Sequence, residues 1–214
     1  MKTLSPTHLI SAANAFVGFG EDHPGRSRGR LVHRFLTQVG VPGGAIENAS
    51  WDVAFVHHVG YWSHYDHRSA RSAWPLPISV DANILARFAK REGVLESKPV
   101  AGDLFLLMGP DREKYTRAGI VTGVEDVGYY RNQRAYYECV TIEGDTNLVR
   151  DMRGGLLLRH LRVLSAERGD RFVRWTALGA GAQGHSVVDL SARQRARTRR
   201  RPEVIRLYEQ EEAA

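Results

Sequence analysis

Trp51-Asp52-Val53-Ala54-Phe55-Val56 has the spacing of a helix that begins near Asp52 and turns Val53, Phe55 and Val56 inward. Further along, Arg117-Ala118-Gly119-Ile120-Val121-Thr122-Gly123-Val124 reads as a strand over Ala118 to Val124. The chain around them sorts in the same way. Ser5-Pro6 is a helix start, a capping hydroxyl followed by proline at the first helical position, and the helix should run to about Val17 before Gly18 and Gly20 stop it. Leu31, Phe35, Leu36 and Val39 repeat at helical spacing up to Gly40. Ser79 is expected to cap a fourth helix bearing Ile84, Leu85 and Phe88. After that the period changes. Leu104 to Met108, Tyr136 to Ile142, Gly155 to Leu164 and Phe172 to Trp175 read as further strands. Helices first and strands afterwards predict an α+β fold, with N-terminal helices packed on an antiparallel sheet.

From about Ala177 the composition shifts to glycine, then arginine, then glutamate. The chain therefore divides into a domain over 1–176 and a basic extension over 177–214, with helices expected at Val187–Arg199 and Pro202–Glu212. Much of the net charge of +6 is concentrated there, in Arg193, Arg195, Arg197, Arg199, Arg200 and Arg201. Such a run suits phosphates, acidic protein faces or anionic lipid heads, and equally a solvated surface. No nucleic-acid module accompanies it, so nucleic acid ranks last as a partner. At 43% apolar the 214-residue chain has enough hydrophobic material for a sizeable core. It has no transmembrane-length apolar run and no recognisable secretory signal, which predicts a cytoplasmic protein or one carried within an exported or assembled particle. The single cysteine, Cys139, cannot form an internal disulfide and reads as a core filler in a strand.

The two opening stretches resemble the signature segments of the CHAP family (cysteine, histidine-dependent amidohydrolase/peptidase), within the NlpC/P60 and papain-like group. The family pattern is Trp-Cys-Ala-Ala-Phe-Val on a helix and His-x-Gly-Ile-Val on a strand. Gly102-Asp103-Leu104 resembles its Pro-Gly-Asp-Leu turn, with Ala101 where the proline would be. Thr141-Ile142-Glu143-Gly144-Asp145-Thr146-Asn147 resembles its Thr-x-Glu-Gly-Asn-Thr-Asn segment, and Phe172-Val173-Arg174-Trp175 its closing strand. The likeness spans about Thr7 to Trp175 and implies a papain-like fold.

The same resemblance puts the family's nucleophile at Asp52 and its general base at Arg117. Family members attack an amide, typically in peptidoglycan, with a thiolate at a helix N-terminus while an imidazole shuttles the proton. Aspartate is a poor nucleophile toward amides, and an arginine that is always protonated cannot accept a proton. The expectation is an inactive pseudoenzyme with no catalytic residues, whose relic positions are Asp52, Arg117, Glu143 and Asp145. It would serve as a structural or interaction subunit of a larger assembly, with the basic extension as the docking element. The alternative is a peptidoglycan amidase, endopeptidase or cell-wall-binding module using the relic cleft. Asp52 and Arg117 are expected to approach within about 4 Å as an inert ion pair, with Glu143 on the other side of Arg117. The other arrangement has Asp52 as a plain N-cap and Arg117 in solvent.

No cofactor is implied. His57, His58, His64, Asp66 and His67 are crowded, but no His-Glu-x-x-His motif is present and no metal is expected. Tyr61, Trp62, Tyr65 and Trp74 either line a glycan groove, with Trp62, Tyr65 and Trp74 as contact residues, or pack in the core.

Overall fold

The computed structural model describes residues 5–21, 29–63, 74–129, 135–146 and 155–178. Its architecture is α+β, a curled antiparallel sheet carrying helices on one face. Helix α1 (Pro6–Asn14) starts where the Ser5 side chain accepts from the His8 amide, and it ends earlier than its apolar spacing suggested. Helix α2 spans Arg30–Gln38, α3 Asp52–Trp62 and α4 Ala82–Arg91. The cap of α4 is a correction. Asp81 accepts from the Asn83 amide, whereas Ser79 sits one turn earlier and accepts from the Asp81 amide at 2.9 Å. Aspartate followed by alanine makes the better N-cap, and serine serves the turn leading into it.

The strands are β1 (Leu95–Glu96), β2 (Leu104–Met108), β3 (Tyr115–Tyr129), β4 (Ala135–Thr146), β5 (Leu156–Leu164) and β6 (Arg171–Val173). They are ordered β1-β6-β2-β3-β4-β5, so β5 is an edge strand. Strand β3 is longer at both ends than its apolar run, and β1 is too short to have left a periodic signal.

Strand alternation gives the sheet two apolar faces. Ala118, Ile120, Ile142 and Leu157 meet the helices in one core with Phe35, Phe55 and Trp51. Phe105, Val121, Tyr137, Cys139, Leu164 and Phe172 form a second, smaller core on the other face. A flat two-layer fold would leave that second face wet, and curling closes it.

Gly102 shows why the Gly-Asp-Leu turn needs its glycine. Its φ is +92°, and a Cβ there would stand 2.3 Å from Cβ of Pro6. Asp103 then accepts from the Val100 amide at 3.0 Å and from Arg174 at 3.1 Å, while Trp175 Nε1 donates to the Gly102 carbonyl at 2.7 Å. These bonds fasten the turn before β2 to the chain after β6.

Trp74 is buried rather than displayed. Its ring lies 5.5 Å from that of Trp175 and its Nε1 donates to His57 Nδ1 at 3.0 Å. A Cβ on Gly60 of α3 would stand 2.4 Å from the same indole. Gly60→Ala is therefore expected to lose stability, about 1–3 kcal/mol from overpacking partly offset by about 1 kcal/mol of helix propensity. Urea unfolding measures it, and a neutral or stabilising result would show that Trp74 is free to move.

Candidate functional site

The cluster around the start of α3 is built by three elements. Trp51, fully buried, is the residue before the helix, and Asp52 is its first helical residue rather than its cap. Asp52 is 2% exposed, and both of its carboxyl oxygens are engaged. Oδ2 accepts from the Ala118 amide of β3 at 2.7 Å, and Oδ1 lies 2.9 Å from Ser50 Oγ. The carboxyl thus bolts the helix to the strand. On the second sheet partner, β4, the pairing with β5 slips between Glu143 and Thr146. Asp145 in that bulge has φ +57°, and its Oδ2 lies 2.8 Å from the same Ser50 Oγ. Bulges re-aim side chains, and this one turns Asp145 toward the helix start.

One serine hydroxyl has one hydrogen and cannot donate to two carboxylates. Ser50 Oγ therefore stands between the two carboxyls, donating to one and within hydrogen-bond distance of the other. Burial pushes the Asp52 carboxyl up to about 6, against the stabilising amide of Ala118 and the Ser50 hydroxyl. Burial also raises Asp145, while the nearby Arg117 charge pulls it down.

The expected Asp52–Arg117 ion pair is not formed. Ala118 points at the helices, so its neighbour Arg117 starts from the opposite face of β3. The Arg117 guanidinium instead donates to the Asp145 carbonyl at 2.7 Å. Asp52 and Arg117 are joined only in relay, through Ser50 and Asp145. Glu143 is a second correction. It is 1% exposed and is gripped by both guanidinium nitrogens of Arg162, which come from β5 rather than β3. Thr141 Oγ1 donates to it at 2.6 Å. Register explains the swap, since the Thr141–Glu143 face of β4 lies beside the His160–Arg162 face of β5.

His160 and Ser50 are site residues that the sequence reading missed. His160 stands opposite Thr141, its Nε2 buried without a hydrogen-bond partner, and burial lowers its basicity while Glu143 opposes that. Alternation along β5 offered a hint of which face it takes, but only pairing could place it beside Glu143.

Other candidates resolve differently. His57 and His58 are both buried. His58 pairs with Gln38 at 2.7 Å and packs 4.6 Å from the Phe35 ring. Among the described residues no three His, Cys, Asp or Glu side chains are placed to hold a metal. Burial raises the Cys139 thiol to about 12, which keeps it an unreactive core group at neutral pH. Of the aromatic contact residues, Trp62 is 41% exposed and Trp74 only 5%, so Trp74 does not line a surface groove. Tyr65, His64, Asp66, His67 and the run Arg193, Arg195, Arg197, Arg199, Arg200 and Arg201 lie outside the described residues. Among the described residues no helix is long and apolar enough to cross a membrane. No family model, curated protein or solved structure matches the chain.

Proposed function

We propose that the chain carries a papain-like, CHAP-like domain whose two reactive positions have become structural, and that it works as an interaction subunit of a larger assembly. One observation carries this reading. At the position where the resemblance places a thiol nucleophile stands a carboxyl group that is buried and has both oxygens occupied. With one oxygen on the Ala118 amide of β3 and the other at Ser50, the buried carboxyl is held as an anchor, and Arg117, held at the Asp145 carbonyl, has no basic lone pair with which to accept a proton. The packing supports the resemblance only at the helix: α3 begins against β3 through Asp52 and the Ala118 amide, whereas Arg117 turns to the Asp145 carbonyl instead. The basic extension over 177–214 is the proposed docking element.

Incubation of the full-length protein with cell-wall sacculi, followed by labelling of newly released amines, tests the reading. The expected release equals that of Asp52→Ala, at the level of buffer alone. Release by the wild type that Asp52→Ala abolishes would establish a hydrolase. Sedimentation with sacculi without release would favour a cell-wall-binding role for the relic cleft.

A further inference from the structure

The edge of the sheet at β5 is only half covered. Its first residues are closed off by the chain before α2. Leu157 N–H donates to the Phe19 carbonyl at 2.7 Å and the Leu157 carbonyl accepts from Gly18 at 2.9 Å. Backbone groups alternate sides along a strand, and the β4–β5 register is unbroken from Leu158 to Leu164. The N–H and C=O groups of Arg159 and Leu161 and the N–H of Val163 therefore face outward, like those of Leu157. Among the described residues no strand or loop pairs with them, and the outward carbonyl of Val163 takes only the Arg168 guanidinium. Leu161 is 66% exposed and Val163 42%, on a strand edge that solvation alone would favour covering with charge.

A cleft of about 460 Å³ runs along this edge. Leu161, Arg162, Val163 and Leu164 all line it. Consecutive strand residues face opposite sides of a sheet, so a cavity touching four in a row is seen edge-on. Leu107 to Pro110, Arg112, Arg168 and Asp170 complete its lining. The charge here is positive. Asp170 is 2% exposed and is neutralised by the Met108 and Ser165 amides and by Arg168. Arg162 is matched by Glu143. The Arg112 guanidinium is exposed and makes no hydrogen bond or ion pair with any described residue, and Arg159, exposed farther along the edge, donates to the neutral Asn14 side chain and keeps its charge uncompensated there.

We infer that the outer edge of β5 from Arg159 to Val163 takes up an extended acidic peptide segment of a partner, which adds as a further antiparallel or parallel strand. Apolar residues of the segment seat against Leu161, Val163 and Leu107, and its carboxylates meet Arg112 and Arg159. Backbone pairing supplies affinity in such strand addition, and the alternating side chains supply selectivity. A second copy of this chain is a poorer occupant, because its own edge would bring Arg159 and Arg162 to an already positive surface. This surface is separate from the Asp52 cluster, and its use does not depend on that cluster being inactive.

The test uses the full chain and a fluorescein-labelled peptide of sequence Glu-Val-Glu-Leu-Glu-Val-Glu, with a counterpart in which lysine replaces every glutamate. The acidic peptide is expected to bind at least roughly tenfold more tightly than the lysine one by anisotropy, and to weaken as salt rises. Saturating acidic peptide is expected to slow amide hydrogen exchange at Arg159, Leu161 and Val163 while leaving His160 and Arg162, already bonded to β4, unchanged. Leu161→Pro removes an outward N–H and no bond to β4, so it should stay folded and lose binding. Equal binding of the two peptides, unchanged binding by folded Leu161→Pro, or protection spread elsewhere overturns the inference. So does a peptide-free dimer in sedimentation equilibrium that Leu161→Pro dissociates, since the edge would then belong to a second copy. If Leu161→Pro does not fold, the exchange pattern decides.

Discussion

Acidification from about pH 6.5 to about pH 4 is expected to remove several kcal/mol of folding stability, because burial holds His57 and His58 neutral and lowers both to about 4. The sign follows from proton counts. Between the two values the unfolded chain binds a proton at each imidazole and the folded chain does not. The stability these residues allow is complete above about 6.5 and is lost as the pH falls toward 4. The geometry makes the cost concrete. His57 Nδ1 accepts from Trp74, which leaves its proton on Nε2, directed at the Pro77 carbonyl without good hydrogen-bond geometry. A second proton would have to displace the indole. His58 is enclosed by Phe16, Phe35 and Trp62. Urea midpoints across this pH range measure the loss. His58→Gln, which can keep a hydrogen bond to Gln38, is expected to make the acid limb shallower. In an Asp52→Asn background, which removes the opposing carboxyl titration, a midpoint that is flat from 6.5 to 4, or a His58→Gln limb parallel to its parent, would show that these imidazoles are not held neutral.

Asp52 acts with the opposite sign. Its folded value of about 6 exceeds the ordinary 3.8, so the folded chain holds the extra proton between them. Its favourable contribution is complete below 3.8 and is lost as the pH rises through about 6. Asp52→Asn keeps an acceptor for the Ala118 amide and offers an NH₂ to Ser50 without any ionisation. At pH 8 it is expected to be more stable than the wild type by about 2–3 kcal/mol, since burial raises the carboxyl from 3.8 to about 6 and each tenfold change in proton affinity is worth about 1.4 kcal/mol. Near pH 4 the two proteins should converge. Asp52→Ala at pH 8 instead strands the buried Ala118 N–H, a loss of about 1–3 kcal/mol that offsets the relieved charge. An Asn variant no more stable than the wild type at pH 8 would mean that Asp52 is comfortably ionised. A preserved hydrolytic site would also be expected to lose activity in this variant, which separates the two roles of the residue.

The chemistry of the α3 cluster was only partly legible in the residues. Trp51-Asp52 announced a helix start, but the Gly144-Asp145 pair lay beyond the strand read over Tyr136 to Ile142 and carried no visible sign of a bulge. Since one inserted residue rotates everything beyond it, the direction of Asp145 was unreadable without the β4–β5 pairing. Arg117 shows the same limit from the other side. Its adjacency to Ala118 was certain, but adjacency on a strand means opposite faces, which set Arg117 apart from the carboxyl that holds the Ala118 amide. Glu143 was expected on the other side of Arg117 and pairs with Arg162 instead.

The sequence by itself determined the order of the four helices and of strands β2 to β6, the start of α1 at Ser5-Pro6, the limits of β2 and the α+β class. Those follow from short-range periodicity and capping, which neighbouring residues dictate. Only the tertiary structure decided that Ser50 joins two carboxyls, that His160 stands beside Glu143 and that no described residue pairs with the outer half of β5. Each of these depends on strand register and sheet closure, where residues far apart in the chain are brought together by packing that no local window contains.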